Sequence, residues 1–261
     1  MKFPIYQIDA FTSRLFGGNP AAVVILEHWL TDEVLQNIAA ENNLAETAFV
    51  IPREGQSQLR WFTPTLEVDL CGHATLAAGH VLIKYIYPLL QRVSFSTRSG
   101  ELSVSRQGDL LSLDFPVRPG KPIRVSDALV AALGARPREA FLARDLLAVF
   151  DTEAEVRALR PDLERVAALD AFAVIVSAPG SDVDFVSRFF APKAGVPEDP
   201  VTGSAHCTLV PYWAGRLGKP RLKARQVSPR VGELDCELRG DRVSIGGKAV
   251  EYLRGEIEIP G

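Results

Sequence analysis

Cysteine is scarce in this chain: Cys71, Cys207 and Cys236 are its 3 thiols among 261 residues. An odd number, widely spaced, argues against a disulfide framework and for a reducing compartment such as the cytoplasm. No CxxC or HExxH spacing is present, so the pattern gives no support to a structural or catalytic zinc. His73 and His80 would share a helix face, but two imidazoles are too few ligands to define a metal site. A basic excess is also missing. The formal net charge is -3, which removes the electrostatic footprint of a nucleic-acid binder. No apolar run reaches spanning length, and Met1-Lys2-Phe3-Pro4-Ile5 lacks the charged-then-apolar pattern of a leader. What remains, with 47% hydrophobic and 23% charged residues, is the composition of a soluble globular protein, expected in the cytoplasm.

The chain does contain itself twice. Arg98-Ser-Gly100-Glu101-Leu102-Ser-Val104 and Gly108-Asp109-Leu-Leu111-Ser112-Leu113 align without a gap on Arg230-Val-Gly232-Glu233-Leu234-Asp-Cys236 and Gly240-Asp241-Arg-Val243-Ser244-Ile245. Upstream, Arg60-Trp61-Phe62-Thr-Pro64 leads to Gly72-His73-Ala74 as Arg188-Phe189-Phe190-Ala-Pro192 leads to Gly203-Ser204-Ala205. A repeat of half the chain is too long for a solenoid. It implies two similar domains with a cleft between them, a preferred place for a small-molecule site. Pro116, Pro119, Gly120 and Pro122 cluster at the midpoint, giving expected domains of residues 1–118 and 119–261, with the membership of the last strand left open.

The local pattern is α+β with sheet predominating. Lys2 to Asp9 alternates as a strand, and Phe16-Gly17-Gly18-Asn19-Pro20 breaks into a turn before a second strand. Thr31 caps a helix ending near Asn42-Asn43. Strands follow at Glu46 to Ile51 and Gln58 to Phe62. From Gly72 a helix begins that is apolar nearly all round, which predicts burial on every side with a sheet wrapped around it. In the second half Ser126 caps a helix, Ala171 to Ser177 and Val183 to Ala191 read as strands, and another helix starts at Gly203. Pro211 should kink or shorten that helix.

Several residues could carry chemistry. Gly72 and Gly203 open equivalent helices, where backbone N–H groups and the helix dipole favour an anion such as a carboxylate. They would serve equally well as caps alone. Glu46 enters a strand among apolar neighbours, a setting that suits a carboxylate to acid/base work, and also one where a strand-end glutamate simply faces water. Asp199, in the loop feeding the second helix, could exchange a proton or orient His73, or could lead the helix as a capping acid; Glu198 is its nearest rival. His73 could shuttle a proton near neutral pH. Cys71 could be a thiolate at a helix N-terminus, but its repeat mate is Thr202, so a symmetric cysteine pair is missing.

Taken in order, Asp9-Ala10-Phe11-Thr12, Phe16-Gly17-Gly18-Asn19-Pro20-Ala21-Ala22-Val23, Asn43-Leu44-Ala45-Glu46-Thr47-Ala48-Phe49, Phe62-Thr63-Pro64, Asp69-Leu70-Cys71-Gly72-His73-Ala74-Thr75, Thr97-Arg98-Ser99-Gly100-Glu101-Leu102 and Glu198-Asp199-Pro200-Val201-Thr202-Gly203-Ser204-Ala205 resemble the PhzF-like phenazine-biosynthesis isomerases, of the diaminopimelate epimerase fold. The resemblance implies two domains from an internal duplication, each a rolled β-sheet around a central helix. It also implies a homodimer and no cofactor. It makes Glu46 the catalytic acid/base, with His73 and Asp199 beside it in the mechanism, and Gly72, Gly203 and Ser204 as substrate-binding positions. The type member of the family isomerises trans-2,3-dihydro-3-hydroxyanthranilate by proton movement. The run Cys71-Gly72-His73-Ala74 departs from the phenazine enzymes, so the expected substrate is a small carboxylate of unspecified identity. An epimerase or racemase using Cys71, and a non-catalytic small-molecule-binding protein, are the alternatives.

Overall fold

The computed structural model describes residues 1–259. Two compact units emerge, one of Met1–Asp114 joined by the segment from Gly246 onward, the other of Phe115–Ile245.

In the first unit β1 (Lys2–Ala10) and β2 (Asn19–Ile25) are antiparallel. Helix α1 (Asp32–Asn42) then carries the chain to β3 (Glu46–Ile51), parallel to β2. Thr31 caps α1 by accepting from the Val34 N–H, Asp32 and Glu33 complement its dipole, and Asn43 ends it in the left-handed region at φ 49°. Its apolar face (Leu35, Ile38, Ala39) packs on Phe49 and Phe62. Antiparallel to β3 runs β4 (Gln56–Phe62), which pairs briefly with β5 (Glu67–Val68). Helix α2 (Gly72–Val81) follows. Then β6 (Arg92–Thr97) lies parallel to β4 and opens the meander β7 (Gly100–Gln107) and β8 (Leu110–Pro116).

Helix α2 is buried along its length, with Ala74, Leu76, Ala77 and Ala78 at 0% exposure. It packs on strands β1, β2, β3 and β7, the arrangement its all-round apolarity predicts. Gly79 sets how close it comes to the sheet: a Cβ there would lie 2.6 Å from Val104, so any larger residue would push the helix off β7. From Leu82 to Ile86 the helix widens into a π turn and stops at Tyr87, whose N–H reaches Leu82 O at 2.7 Å.

The second unit comprises β9 (Lys121–Ile123), α3 (Asp127–Leu133), β10 (Glu139–Leu142), β11 (Leu146–Val149), α4 (Glu153–Ala158), α5 (Leu163–Ala168), β12 (Val174–Pro179), β13 (Phe185–Ala191), β14 (Val196–Asp199), a 3₁₀ turn at Gly203–Ala205, α6 (His206–Leu217), β15 (Arg221–Gln226), β16 (Gly232–Arg239) and β17 (Arg242–Gly247). Its pairing repeats the first unit strand for strand. β11 and β12 are parallel as β2 and β3 are, β12–β13 and β13–β14 are antiparallel, β13–β15 is parallel as β4–β6 is, and β15–β16 is antiparallel. Pro211 lies inside α6 without breaking it. Its missing N–H would have bonded the carbonyl four residues back, at Cys207, and that carbonyl instead accepts the Arg118 N–H at 2.8 Å.

The membership of the last strand, open in the sequence, is decided by its pairing. β18 (Ala249–Glu258) pairs antiparallel with β1 from Lys2↔Glu258 to Ala10↔Ala249, and so belongs to the first unit. The cause lies in the duplication. In the second unit β9 occupies the place beside β10, directly upstream in the chain. In the first unit the equivalent edge, beside β1, is covered by β18.

Candidate active site

Glu46 is the first residue of β3, held in register with Ala21 of β2. The two strands bring its carboxylate to the start of α2. There His73 Nε2 lies 3.1 Å from Glu46 Oε2. His73 is 4% exposed, and its Nδ1 faces two further groups: Asn19 Nδ2 at 3.2 Å and Cys71 Sγ at 3.5 Å. Cys71 is the N-cap residue of α2, but its side chain makes no capping bond and turns to the histidine instead. The Glu46 Oε2 and His73 Nε2 atoms are both buried. Beside them the first turn of α2 begins at the buried Gly72.

The charges follow from this packing. Burial, with the Glu46 carboxylate adding to it, pushes the Cys71 thiol up to about 11, so it is protonated at neutral pH. Full burial also works against a charge on His73, while Cys71 and Glu46 work for it and carry it above its ordinary value. The Cys71 part of that effect requires the sulfur to be ionised, so the two groups titrate as a pair. While the thiol keeps its proton, it can donate to a bare His73 Nδ1 or accept from a protonated one, according to the tautomer.

Donor atoms of Glu46, Cys71 and His73 come within 4.8 Å of one another, close enough to invite a metal reading. The orientation opposes it. One ring nitrogen faces the thiol and the other faces the carboxylate, and a single ion can take only one of them.

Asp199 and its neighbours form a parallel arrangement in the second unit. Thr202 holds the N-cap position before Gly203, in the same extended conformation as Cys71, and its hydroxyl donates to Asp199 Oδ2. Gln226 locks this loop by three bonds: it accepts from Thr202 N at 2.9 Å and donates to Asp199 O at 2.7 Å and Thr202 Oγ1 at 3.2 Å. Gly203 is buried and Ser204 partly exposed on the 3₁₀ turn. Glu198, the rival acid, is gripped by Arg188. The position equivalent to Glu46 is Ala173, since Thr47 opposes Phe62 as Val174 opposes Phe190. Asp170 is exposed three residues before it. Only the first unit therefore carries an acid there.

Sequence reasoning placed Glu46, His73 and Gly72 together, and the structure brings them together with Cys71. It did not single out Asn19, which meets His73, or Gln226, which bonds the Asp199 loop. Asn19 was visible only as part of a turn, although an Asn-Pro pair directly entering a buried strand is a usable signal. The orienting groups on His73 are Asn19, Cys71 and Glu46.

A rolled α+β sheet around a buried helix is the epimerase-like class of fold. A hydroxyproline epimerase from Agrobacterium vitis shares the fold at 11% identity, with a TM-score of 0.63 over 98% of this chain and 92% of that one. Within the class this chain belongs to the phenazine biosynthesis-like protein family, whose sequence profile matches residues 8–255. It is 52% identical to an uncharacterized isomerase of Pseudomonas aeruginosa, over 99% of this chain and 100% of the relative. A PhzF-family structure from Enterococcus faecalis superposes with a TM-score of 0.97 at 48% identity, covering 99% of this chain and 100% of that one. Among the described residues no helix is long and apolar enough to cross a membrane.

Proposed function

We propose that the protein is a cofactor-independent isomerase that moves a proton between carbons of a small carboxylate-bearing molecule, with Glu46 as base and then acid. The observation that carries this reading is the pair Glu46 Oε2 and His73 Nε2, buried 3.1 Å apart at the start of α2. A carboxylate held beside an imidazole can take up and return a proton at one place. Relatives named as isomerases support the same reading.

In the proposed step Glu46 takes a proton from a substrate carbon, and the C–H electron pair passes into the adjoining π-system as an enolate-like charge. The protonated Glu46 then delivers the proton to another carbon, so no oxidant or reductant is consumed. His73 and Asp199 assist the transfers. Gly72, Gly203 and Ser204 hold the substrate carboxylate through backbone N–H groups and a hydroxyl. A homodimer is part of the reading and rests on the family resemblance, and a cytoplasmic location rests on the sparse cysteines. An epimerase working through Cys71 is less favoured, because its thiol holds its proton to about 11 and Thr202 stands in its place in the second unit.

Proton NMR in deuterium oxide tests the proposal, with trans-2,3-dihydro-3-hydroxyanthranilate and a panel of carboxylates bearing acidic C–H bonds as substrates. Deuterium uptake that falls by ~10²–10⁴ in Glu46→Gln is expected. Uptake unchanged in that variant would overturn the role of Glu46, and no uptake across the panel would favour a binding protein.

A further inference from the structure

The turn Phe16-Gly17-Gly18-Asn19-Pro20 ends on a side chain that the reaction scheme above does not use. Asn19 is 0% exposed and opens β2, its backbone paired with Ala10 of β1. The approach to it is rigid. Gly18 sits at φ +60°, where an added Cβ would lie 2.1 Å from Ala10 O, and the Asp9 carboxylate accepts the Phe16 N–H at 2.9 Å. Pro20 fixes the backbone on the other side. The carboxamide is thus delivered to one place, with its Nδ2 3.2 Å from His73 Nδ1.

An amide nitrogen can only donate. A ring nitrogen that accepts from it carries no proton, and the proton of a neutral imidazole must then sit on the other nitrogen. Cys71 Sγ approaches the same Nδ1 at 3.5 Å and, as a thiol, also donates. Two donors converge on Nδ1, and Nε2 is the nitrogen that faces Glu46. We infer that Asn19 is a positioning residue that fixes the neutral tautomer of His73, keeping Nδ1 an acceptor and placing the N–H on Nε2, toward Glu46 and the reacting proton. His73 thereby acts as a hydrogen-bond donor to a developing negative charge, and Glu46 alone begins as the base. A proton on Nδ1 would point at the Asn19 N–H₂ group, so this contact works with burial against the imidazolium, while Glu46 works for it. The inference deepens the proposed mechanism and rests on that reading for its catalytic consequence, but the tautomer itself does not depend on turnover.

The test is ¹⁵N NMR of the full-length protein with labelled histidine, without substrate, at neutral pH. Wild type should show His73 with an unprotonated Nδ1 and a protonated Nε2, and a through-bond coupling from Asn19 Nδ2 to His73 Nδ1. A proton on Nδ1 in wild type would overturn the inference, whatever the activity of the enzyme. Asn19→Asp replaces the donor with an acceptor of nearly the same shape and should draw a proton onto Nδ1. Retention of a bare Nδ1 in that folded variant would also overturn it. Cys71→Ala, which leaves the amide in place, should keep the wild-type tautomer. Where a substrate that exchanges deuterium is in hand, Asn19→Asp should lose exchange on the scale of up to ~10⁴-fold seen when a catalytic histidine is held in the wrong tautomer.

Discussion

Arg188 grips Glu198 through two parallel hydrogen bonds, Nε to Oε1 at 2.7 Å and Nη2 to Oε2 at 2.9 Å. The first unit contains the same device: Arg60 holds Glu67 through Nε and Nη2, each at 2.7 Å. Both guanidinium groups also lie over a phenylalanine two residues on, Phe62 at 5.1 Å and Phe190 at 4.9 Å. The two clamps tie strands β4 and β13 to the segments that lead to Gly72 and Gly203. Planar, bidentate arginine is suited to this task because it fixes orientation as well as distance. The clamp also separates two adjacent acids: Glu198 is a structural partner, and Asp199 is the one whose carboxylate meets Thr202.

Replacing Arg188 should therefore destabilise the second unit strongly. Its Nη1 also donates to Val156 O at 3.1 Å and Leu159 O at 2.9 Å, around the end of α4. Arg188→Met would take the guanidinium donor from the Glu198 carboxylate and from Val156 O, while Leu159 O keeps the Arg160 Nη1 donor at 2.8 Å. Removing one partner of a buried pair costs about 3–5 kcal/mol. Thermal unfolding should show a lowered Tm for Arg188→Met and a smaller drop for Glu198→Gln, which keeps the shape and one acceptor. Equal Tm values for wild type and Arg188→Met would show the clamp to be idle.

The buried thiols predict alkaline instability. Burial pushes Cys71 and Cys207 up to about 11 and Cys236 higher still. In the unfolded chain they ionise near 9.0. A group whose pKa is raised by folding contributes its stability in full below the unfolded value and loses it as pH climbs toward the folded one. Stability should therefore hold to about pH 9 and then fall by about 1.4 kcal/mol per pH unit for each thiol. Urea unfolding across that range should give a shallower slope for Cys236→Ala than for wild type, by one proton. An unchanged slope would mean that Cys236 reaches solvent in the native state.

Much of this arrangement was legible in the residues themselves. The repeat around Arg98 and Arg230 exposed the duplication, because a turn such as Gly108-Asp109 or Gly240-Asp241 needs the same chemistry in both copies. The all-apolar stretch after Gly72 announced a buried helix, since only burial tolerates it. What escaped depends on contacts between distant positions. Helices α4 and α5 span six residues each and are stabilised by packing Val156 and Val166 into the core over β12 and β13 rather than by long local periodicity. The return of β18 to β1 leaves no local mark. Asn19 and His73 are 54 residues apart, so an amide that reads as a turn residue gives no sign of the imidazole it meets.

Gly18 links that turn to the site, and its substitution should show the link. At φ +60° an L-residue costs roughly 1–2 kcal/mol, before any contact is counted. Here the added Cβ would also lie 2.1 Å from Ala10 O and 2.9 Å from Thr12 Cγ2. Gly18→Ala should lower the Tm by more than the left-handed backbone alone explains, because relief of the clash requires the β1–β2 connection to move. Asn19 would move with it. The Asn19 side-chain amide resonance should shift in Gly18→Ala, whereas Gly55→Ala, at φ +82° with open space around it, should lose stability without disturbing that resonance.

The roles of Glu46 and Cys71 can be separated by one pair of variants. Both side chains border His73, and both a carboxylate and a thiolate could in principle take a carbon-bound proton. Their protonation differs. Cys71 is 6% exposed and holds its proton to about 11, so near neutral pH little thiolate is present to act as a base. With the tautomer inferred above, its contribution is an S–H donated to His73 Nδ1, beside the Asn19 amide. Cys71→Ala should therefore keep deuterium exchange within about tenfold of wild type, the loss being that of a single weak donor worth about 1 kcal/mol. Glu46→Gln should lose ~10²–10⁴ because the base itself is gone. The reverse ranking, with Cys71→Ala inactive and Glu46→Gln near wild type, would transfer the base to the sulfur. It would also require a titration in the rate profile near pH 11, where a Glu46-driven reaction has none from the thiol.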